Sequence, residues 1–364
     1  MKLKKQQMII IGVIIIVIIL IGSVAVVMMF NNDVADNSNN NDDDGIPSDN
    51  NGGTNGGDGD DVDGDNGGSQ LSGNWINLSS NINAVATDCG FGYTDYSDVF
   101  FVDENEGWVT SSCIAEIYHT TDGGESWEMQ TTQFPCNAIW MISKNEGYAG
   151  GDNGRVYRTT DGGKNWNAIG GIGNTLSDIS FSSGASTGFV CGQNSAYAKI
   201  GPEGVTMIEK ITNGDIGSVS ATGPDEAYFF GCSLMLHYNG SGMWADQDRH
   251  STGYIYANFM LNSKQGWAAG ADIIINTVDG ENWFPQTSPT TNRGMFDVFF
   301  LNENEGWVIG ERGLIMHTTN GGTTWTVEAE GVTDNYLRAV HFPSSNVGYI
   351  CGNEGTLLKY VGEG

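Results

Sequence analysis

Apolar residues in this chain come in short runs separated by polar turns, and the alternation repeats at a nearly fixed interval. Runs such as Val99-Phe100-Phe101, Ile139-Trp140-Met141, Val298-Phe299-Phe300 and Val340-His341-Phe342 each precede a polar turn of the Asn-Glu-Gly type and then a glycine followed by an aromatic residue. The pairs are Gly107-Trp108, Gly147-Tyr148, Gly188-Phe189, Gly266-Trp267, Gly306-Trp307 and Gly348-Tyr349, with Ala227-Tyr228 in the one remaining place. Successive aromatics are 40, 41, 39, 39, 40 and 42 residues apart. Strand-length runs at such a period predict a radial array of small sheets.

A second motif falls into register downstream of the aromatics. It reads TTDGGESW (Thr120 to Trp127), TTDGGKNW (Thr159 to Trp166), NTVDGENW (Asn276 to Trp283) and TTNGGTTW (Thr318 to Trp325), with worn copies at Gly201 to Gly204 and Asn239 to Gly242. Asp or Asn accepting local backbone N–H bonds, followed by glycine at positive φ, makes a tight turn between antiparallel strands. Each unit therefore has four strands. The seventh unit supplies only three before the chain stops, and Gly73 to Ser79 matches the missing fourth, with Trp75 in the column of Trp127, Trp166, Trp283 and Trp325. The expected fold is all-β: a seven-bladed β-propeller closed by an N-terminal strand, which hides open sheet edges.

Over residues 71–364 these motifs resemble the Asp-box (bacterial neuraminidase) repeat, and are most similar to the photosystem II stability and assembly factor type of seven-bladed propeller. The resemblance implies a non-catalytic partner-binding scaffold that uses Arg at the start of the inner strands, a position matched here by Arg338. Asn137, Ser177, Gly217, Tyr256, Phe296 and Ser97 hold that position in the other blades. The same repeat also occurs in sialidases, so fold alone does not give function.

Residues ahead of the repeats are of another kind. Met8 to Phe30 is a run of 23 residues without a charge, roughly 34 Å long as a helix and enough for a bilayer core. Lys2, Lys4 and Lys5 precede it and eleven Asp lie in 31–70 with no Lys or Arg, so the positive-inside rule places the N-terminus in the cytoplasm. The expectation is a cytoplasmic tail (1–7), one transmembrane helix acting as signal anchor (8–30), a disordered Asp/Asn/Gly-rich tether (31–70) and an extracellular propeller (71–364). Cleavage after Ser23-Val24-Ala25 is the alternative. Asp61, Asp63 and Asp65 suggest a calcium loop, but Asn66 and Ser72 stand where an EF-hand needs glycine and glutamate.

The whole chain has 44 acidic and 15 basic residues; removing the three lysines and eleven aspartates before residue 71 leaves 33 and 12, a net charge of −21. Nucleic acid is thereby disfavoured as a partner. A monomeric propeller of this size needs no metal staple, and no cofactor or metal is expected. Of six cysteines, Cys191 and Cys351 fall in a strand column as small core residues, while Cys89, Cys113 and Cys136 fall in loops on one face, where a disulfide among them is expected outside the cell without the pair being fixed.

Register also sorts the residues that could carry chemistry. His119, His237 and His317 share a strand-three column in different blades and cannot converge on one ion. Asp122, Asp161, Asp279 and Asn320, with Trp127, Trp166, Trp283 and Trp325, recur once per blade and read as structure. The irregular interblade loops are the place for a ligand. Arg249, Arg293 and Arg338 fall in three successive loops and Arg312 in a nearby turn, with Tyr256 and Tyr336 among them. Arginine and aromatic side chains there suit an anion or partner site. Two readings follow: a membrane-anchored binding or assembly scaffold for a protein or glycan, and a sialidase-like glycoside hydrolase. The second lacks an evident pair of carboxylates and the Arg-Ile-Pro segment of sialidases.

Overall fold

The computed structural model of the protein describes residues 74–362, apart from residues 91, 209–213, 232–233, 246–247, 250–252 and 330–331, and gives no side chains over 243–250. The expected transmembrane helix (8–30), tether (31–70) and residues 71–73 lie outside the described residues, as does Cys232. No described helix is long and apolar enough to cross a membrane.

Seven antiparallel sheets form the blades, as expected. Their inner strands are Tyr96–Phe101, Cys136–Met141, Leu176–Phe181, Ile216–Gly223, Ile255–Met260, Met295–Phe300 and Leu337–His341. Each lies against the next, and the last returns to the first, so the ring is closed. The closing strand Trp75–Asn77 pairs with Leu357–Val361, Trp75 opposite Tyr360. Trp75 is buried and donates to Glu328 Oε2 of blade six at 3.3 Å, an oxygen that also accepts from Trp307 at 3.0 Å. The helix Ser79–Asn83 then fastens the seam: Asn83 Nδ2 donates to the Gly355 carbonyl and Asn81 Nδ2 to that of Gly124.

The glycine-aromatic pairs have a packing cause. Opposite Gly107, Gly147, Gly188, Gly266 and Gly306 lie the large last residues of the inner strands, Phe101, Met141, Phe181, Met260 and Phe300. A Cβ on Gly107 would sit 2.4 Å from the Phe101 ring, and one on Gly147 2.1 Å from Met141 Sδ. In blade four the opposing residue is Ala221, and Ala227 fits there. The following aromatic faces the strand-three column: Trp108 stacks on His119, Tyr228 on His237 and Trp307 on His317 at 4.2 to 4.6 Å. The turn glutamates complete each set, Glu106 with His119 at 3.4 Å, Glu146 with Arg158 at 2.7 Å and Glu226 with His237 at 3.0 Å.

One difference from expectation is a fifth strand. Residues Asp248–Arg249 run parallel to Asn282–Trp283 on the outer edge of blade five.

Candidate ligand site at the channel mouth

Every inner strand carries a register shift at the same place, between Tyr96 and Asp98 in blade one and between Leu337 and Ala339 in blade seven. A bulge adds one residue that has no partner across the ladder and re-aims its side chain. The seven bulged residues are Ser97, Asn137, Ser177, Gly217, Tyr256, Phe296 and Arg338. Together they line a cavity of about 520 Å³ on the interblade-loop side of the channel. The column compared across blades in the sequence is thus one continuous rim.

Arg338 is its only cation among the described lining residues. Its guanidinium carbon lies 4.9 Å from the Phe296 ring centre and 5.6 Å from that of Tyr336, and Nε donates to Asn353 Oδ1 at 2.7 Å. Burial lowers its pKa, and the Asp95 carboxylate works the other way. Tyr256, Phe296 and Tyr336 follow one another at 5.9 and 5.7 Å. Blades five to seven therefore give an aromatic arc ending in a charge.

Beneath the rim is a feature that sequence reading did not single out. Asp98, Asp178 and Asp297 occupy the position after the bulge in blades one, three and six. Asp98 accepts from the Val99 N–H and, across the blade boundary, from the Ile139 N–H at 2.8 Å. Asp178 accepts from Ile179, Val219 and the Ser218 hydroxyl, and Asp297 from Val298 and Val340. In blade four Ser218 accepts from the Asn258 N–H at 3.1 Å. Each links one inner strand to the next. Burial raises their carboxyl pKa values, Asp178 to about 6, Asp297 to about 7 and Asp98 well above the ordinary value, against the opposing pull of those N–H donors. Alternation with Ala138, Ala257 and Ala339 hid the column, because only every second or third blade shows an acid.

The other expected residues are placed as follows. Tyr256, Tyr336 and Arg338 come together at the mouth. Arg249 does not: its strand is the outermost of blade five, beside Trp283 and away from the channel. Arg293 is half-buried in the loop before blade six, where its carbonyl accepts from the Asp272 N–H at 3.1 Å, and it does not line the cavity. Arg312 is exposed in a left-handed turn, φ 53°. Of the three loop cysteines, Cys89 and Cys113 form the disulfide and Cys136 is a buried thiol.

The Asp-box residues are structural. Asp161 accepts from Thr159 Oγ1, Asn165 N and Asn165 Nδ2 at 2.7 to 2.9 Å. Asp122, Asp279 and Asn320 repeat the arrangement. Trp166 and Trp325 donate to Gln130 and Gln286, and these amides donate to Gly162 and Gly321, tying one blade's turn to the blade before. Trp127 and Trp283 are buried. Among the described residues no group of histidine, cysteine and acids could hold a metal ion.

The family described as photosynthesis system II assembly factor YCF48 matches residues 96–361. The solved structure "YCF48 bound to D1 peptide" superposes with a TM-score of 0.64 at 20% identity, covering 81% of this chain and 99% of that one. YCF48 from Cyanidioschyzon merolae gives 0.63 at 19% identity, with 79% and 99% covered. The WD40 β-propeller domain of Doa1 gives 0.62 at 10% identity, with 74% and 93% covered, a likeness of fold alone. The search of curated proteins found no match.

Proposed function

Because this chain belongs to the YCF48-type family of photosynthesis system II assembly factors, we propose that it is a non-catalytic scaffold that holds a partner polypeptide at the channel mouth on the interblade-loop face. The observation that carries this reading is Arg338, set between Phe296 and Tyr336 at the rim. Among the described residues only its Nε is hydrogen-bonded to a side chain, which leaves its outer nitrogens for a carboxylate or carbonyl of a ligand. A relative with a D1 peptide bound supports polypeptide as the ligand class. The tyrosines and Phe296 supply contact area at low entropy cost.

The pattern of residues 1–70 supports placing this scaffold on a membrane, with the propeller extracytoplasmic and tethered by residues 31–70. A glycan is the second ligand class compatible with an aromatic rim. Hydrolysis of one is not favoured, since the half-buried Asp98, Asp178 and Asp297 each spend one oxygen on the N–H of the next residue in their own strand and the other on an N–H of the adjoining inner strand.

The test is capture from detergent-solubilised membranes by the full-length chain and by its Arg338→Glu and Tyr256→Ala variants. A polypeptide retained by the parent and reduced at least tenfold in both variants is the expected result. Equal capture by all three overturns the proposal, and turnover of a fluorogenic glycoside overturns its non-catalytic part.

A further inference from the structure

Below the neck formed by the three aspartates, the channel widens toward the Asp-box face into a second cavity of about 780 Å³. That is the size of small-molecule sites, about 300–1,000 Å³. Its wall is an arc of five half-buried rings from five blades. Phe100 lies 5.0 Å from Trp140 and 4.4 Å from His341, and Phe299 lies 5.4 Å from His341 and 5.1 Å from Phe259. Blades three and four have Ser180 and Ser220 in this row, which leaves the arc open on one side. His341 is neutral: Nδ1 accepts the Phe101 N–H at 3.3 Å, and burial pushes its pKa down to about 3.

Among the described residues no lysine or arginine lines this cavity, while its floor holds Asp98, Asp178 and Asp297. Its wall also contains Asn258, 6% exposed, whose Oδ1 and Nδ2 have no hydrogen-bond partner among the described residues, an arrangement that is costly unless something completes it. Low-dielectric walls around charges of one sign concentrate their field. Aromatic rings add attraction for a cation and cover for an apolar stem.

We propose that this lower cavity is a binding site for an organic cation, an ammonium or guanidinium group carried on an apolar stem. It meets the mouth around Arg338 at the neck of aspartates, and it does not rest on the proposed scaffold function. The cation enters from the Asp-box face with its charge toward the three carboxylates and its stem along the rings. Asp178 and Asp297, with carboxyl pKa values raised by burial to about 6 and about 7, gain charge between pH 6 and 8, so uptake of the cation releases protons in that window and affinity rises with pH. The other titratable groups near the neck hold their charge between pH 6 and 8: His341 is neutral, the Cys191 and Cys351 thiols are pushed up by burial, and Arg338 stays charged.

Titration calorimetry and tryptophan fluorescence of the full-length protein in non-ionic detergent test this. The probes are spermidine, a capped pentapeptide with one arginine among alanines, and the same peptide with glutamate instead. The expected result is saturable binding of a cationic probe with Kd at or below about 1 mM at pH 8, at least threefold weaker at pH 6. Binding falls at least tenfold in Asp178→Asn/Asp297→Asn. It also falls in Ser183→Lys, which adds a charge at the exposed rim without touching the links between blades. Spermidine alone marks a free small molecule as the source, and the arginine peptide alone marks a partner's side chain. Absence of saturable binding by both cations, equal binding of the glutamate peptide, or indifference to Ser183→Lys overturns the proposal.

Discussion

At the scale of single residues, two positions show how local sequence rules arise from packing. The glycine before each aromatic lies against a Phe ring or a Met thioether of the adjacent strand, and where that residue shrinks to Ala221 the glycine becomes Ala227. Gly306→Ala would put a methyl 2.5 Å from the Phe300 ring. It is expected to cost about 1–3 kcal/mol by urea denaturation, and Phe300→Leu in the same chain should return part of that. Asp297 gives a second test. Its folded pKa, about 7, lies above the ordinary 3.8. The folded state therefore binds the proton more tightly, and the stability this contributes is complete below about pH 4 and lost as pH rises through about 7. Asp297→Asn removes that slope, so the variant should trail the parent by more at pH 4.5 than at pH 7.5. Asp103, held down by Lys144, and Asp122 have the opposite sign, but both are common to the two proteins and cancel.

At the scale of elements, the four-stranded blade was legible because each strand has its own marker: an apolar run, Gly-aromatic, a basic or polar column, and Asp-Gly-Gly-x-x-Trp. The closing strand was legible too, since Trp75 shares the tryptophan column. Trp75→Ala is expected to cost about 3–5 kcal/mol and to raise protease sensitivity at the blade-seven seam. Intact, parent-like resistance in limited proteolysis would show that the closure does not depend on it. The bulge was not legible, because the inserted residue has no fixed type; Ser97, Gly217, Tyr256 and Arg338 share only a backbone geometry. For the same reason Arg249, close in sequence to the loop residues, was not separable from them. Its two-residue pairing with Asn282–Trp283 is a tertiary event without a local signal.

At the scale of the whole molecule, the ring places unlike chemistries at its two ends. The mouth sets one arginine beside an aromatic arc above the three aspartates, and the opposite side of the same aspartates has aromatic walls without a cation among the described residues. A chain of net charge −29 should meet its partner with an ionic-strength dependence that follows the partner's charge. Raising salt from 50 to 500 mM is expected to slow association with a basic partner at least tenfold and to leave dissociation nearly unchanged, as surface plasmon resonance would read.

The pairing of Trp75 with Tyr360 also has a meaning in time. A ribosome adding about 5–20 residues per second needs roughly 15–60 s to travel between them. As that interval closes, six blades stand with an unpaired strand at one end and an unfinished sheet at the other. The newborn protein is thus an open arc whose free edges any extended segment can occupy, and the arrival of Leu357–Val361 beside Trp75–Asn77 decides when that opportunity ends.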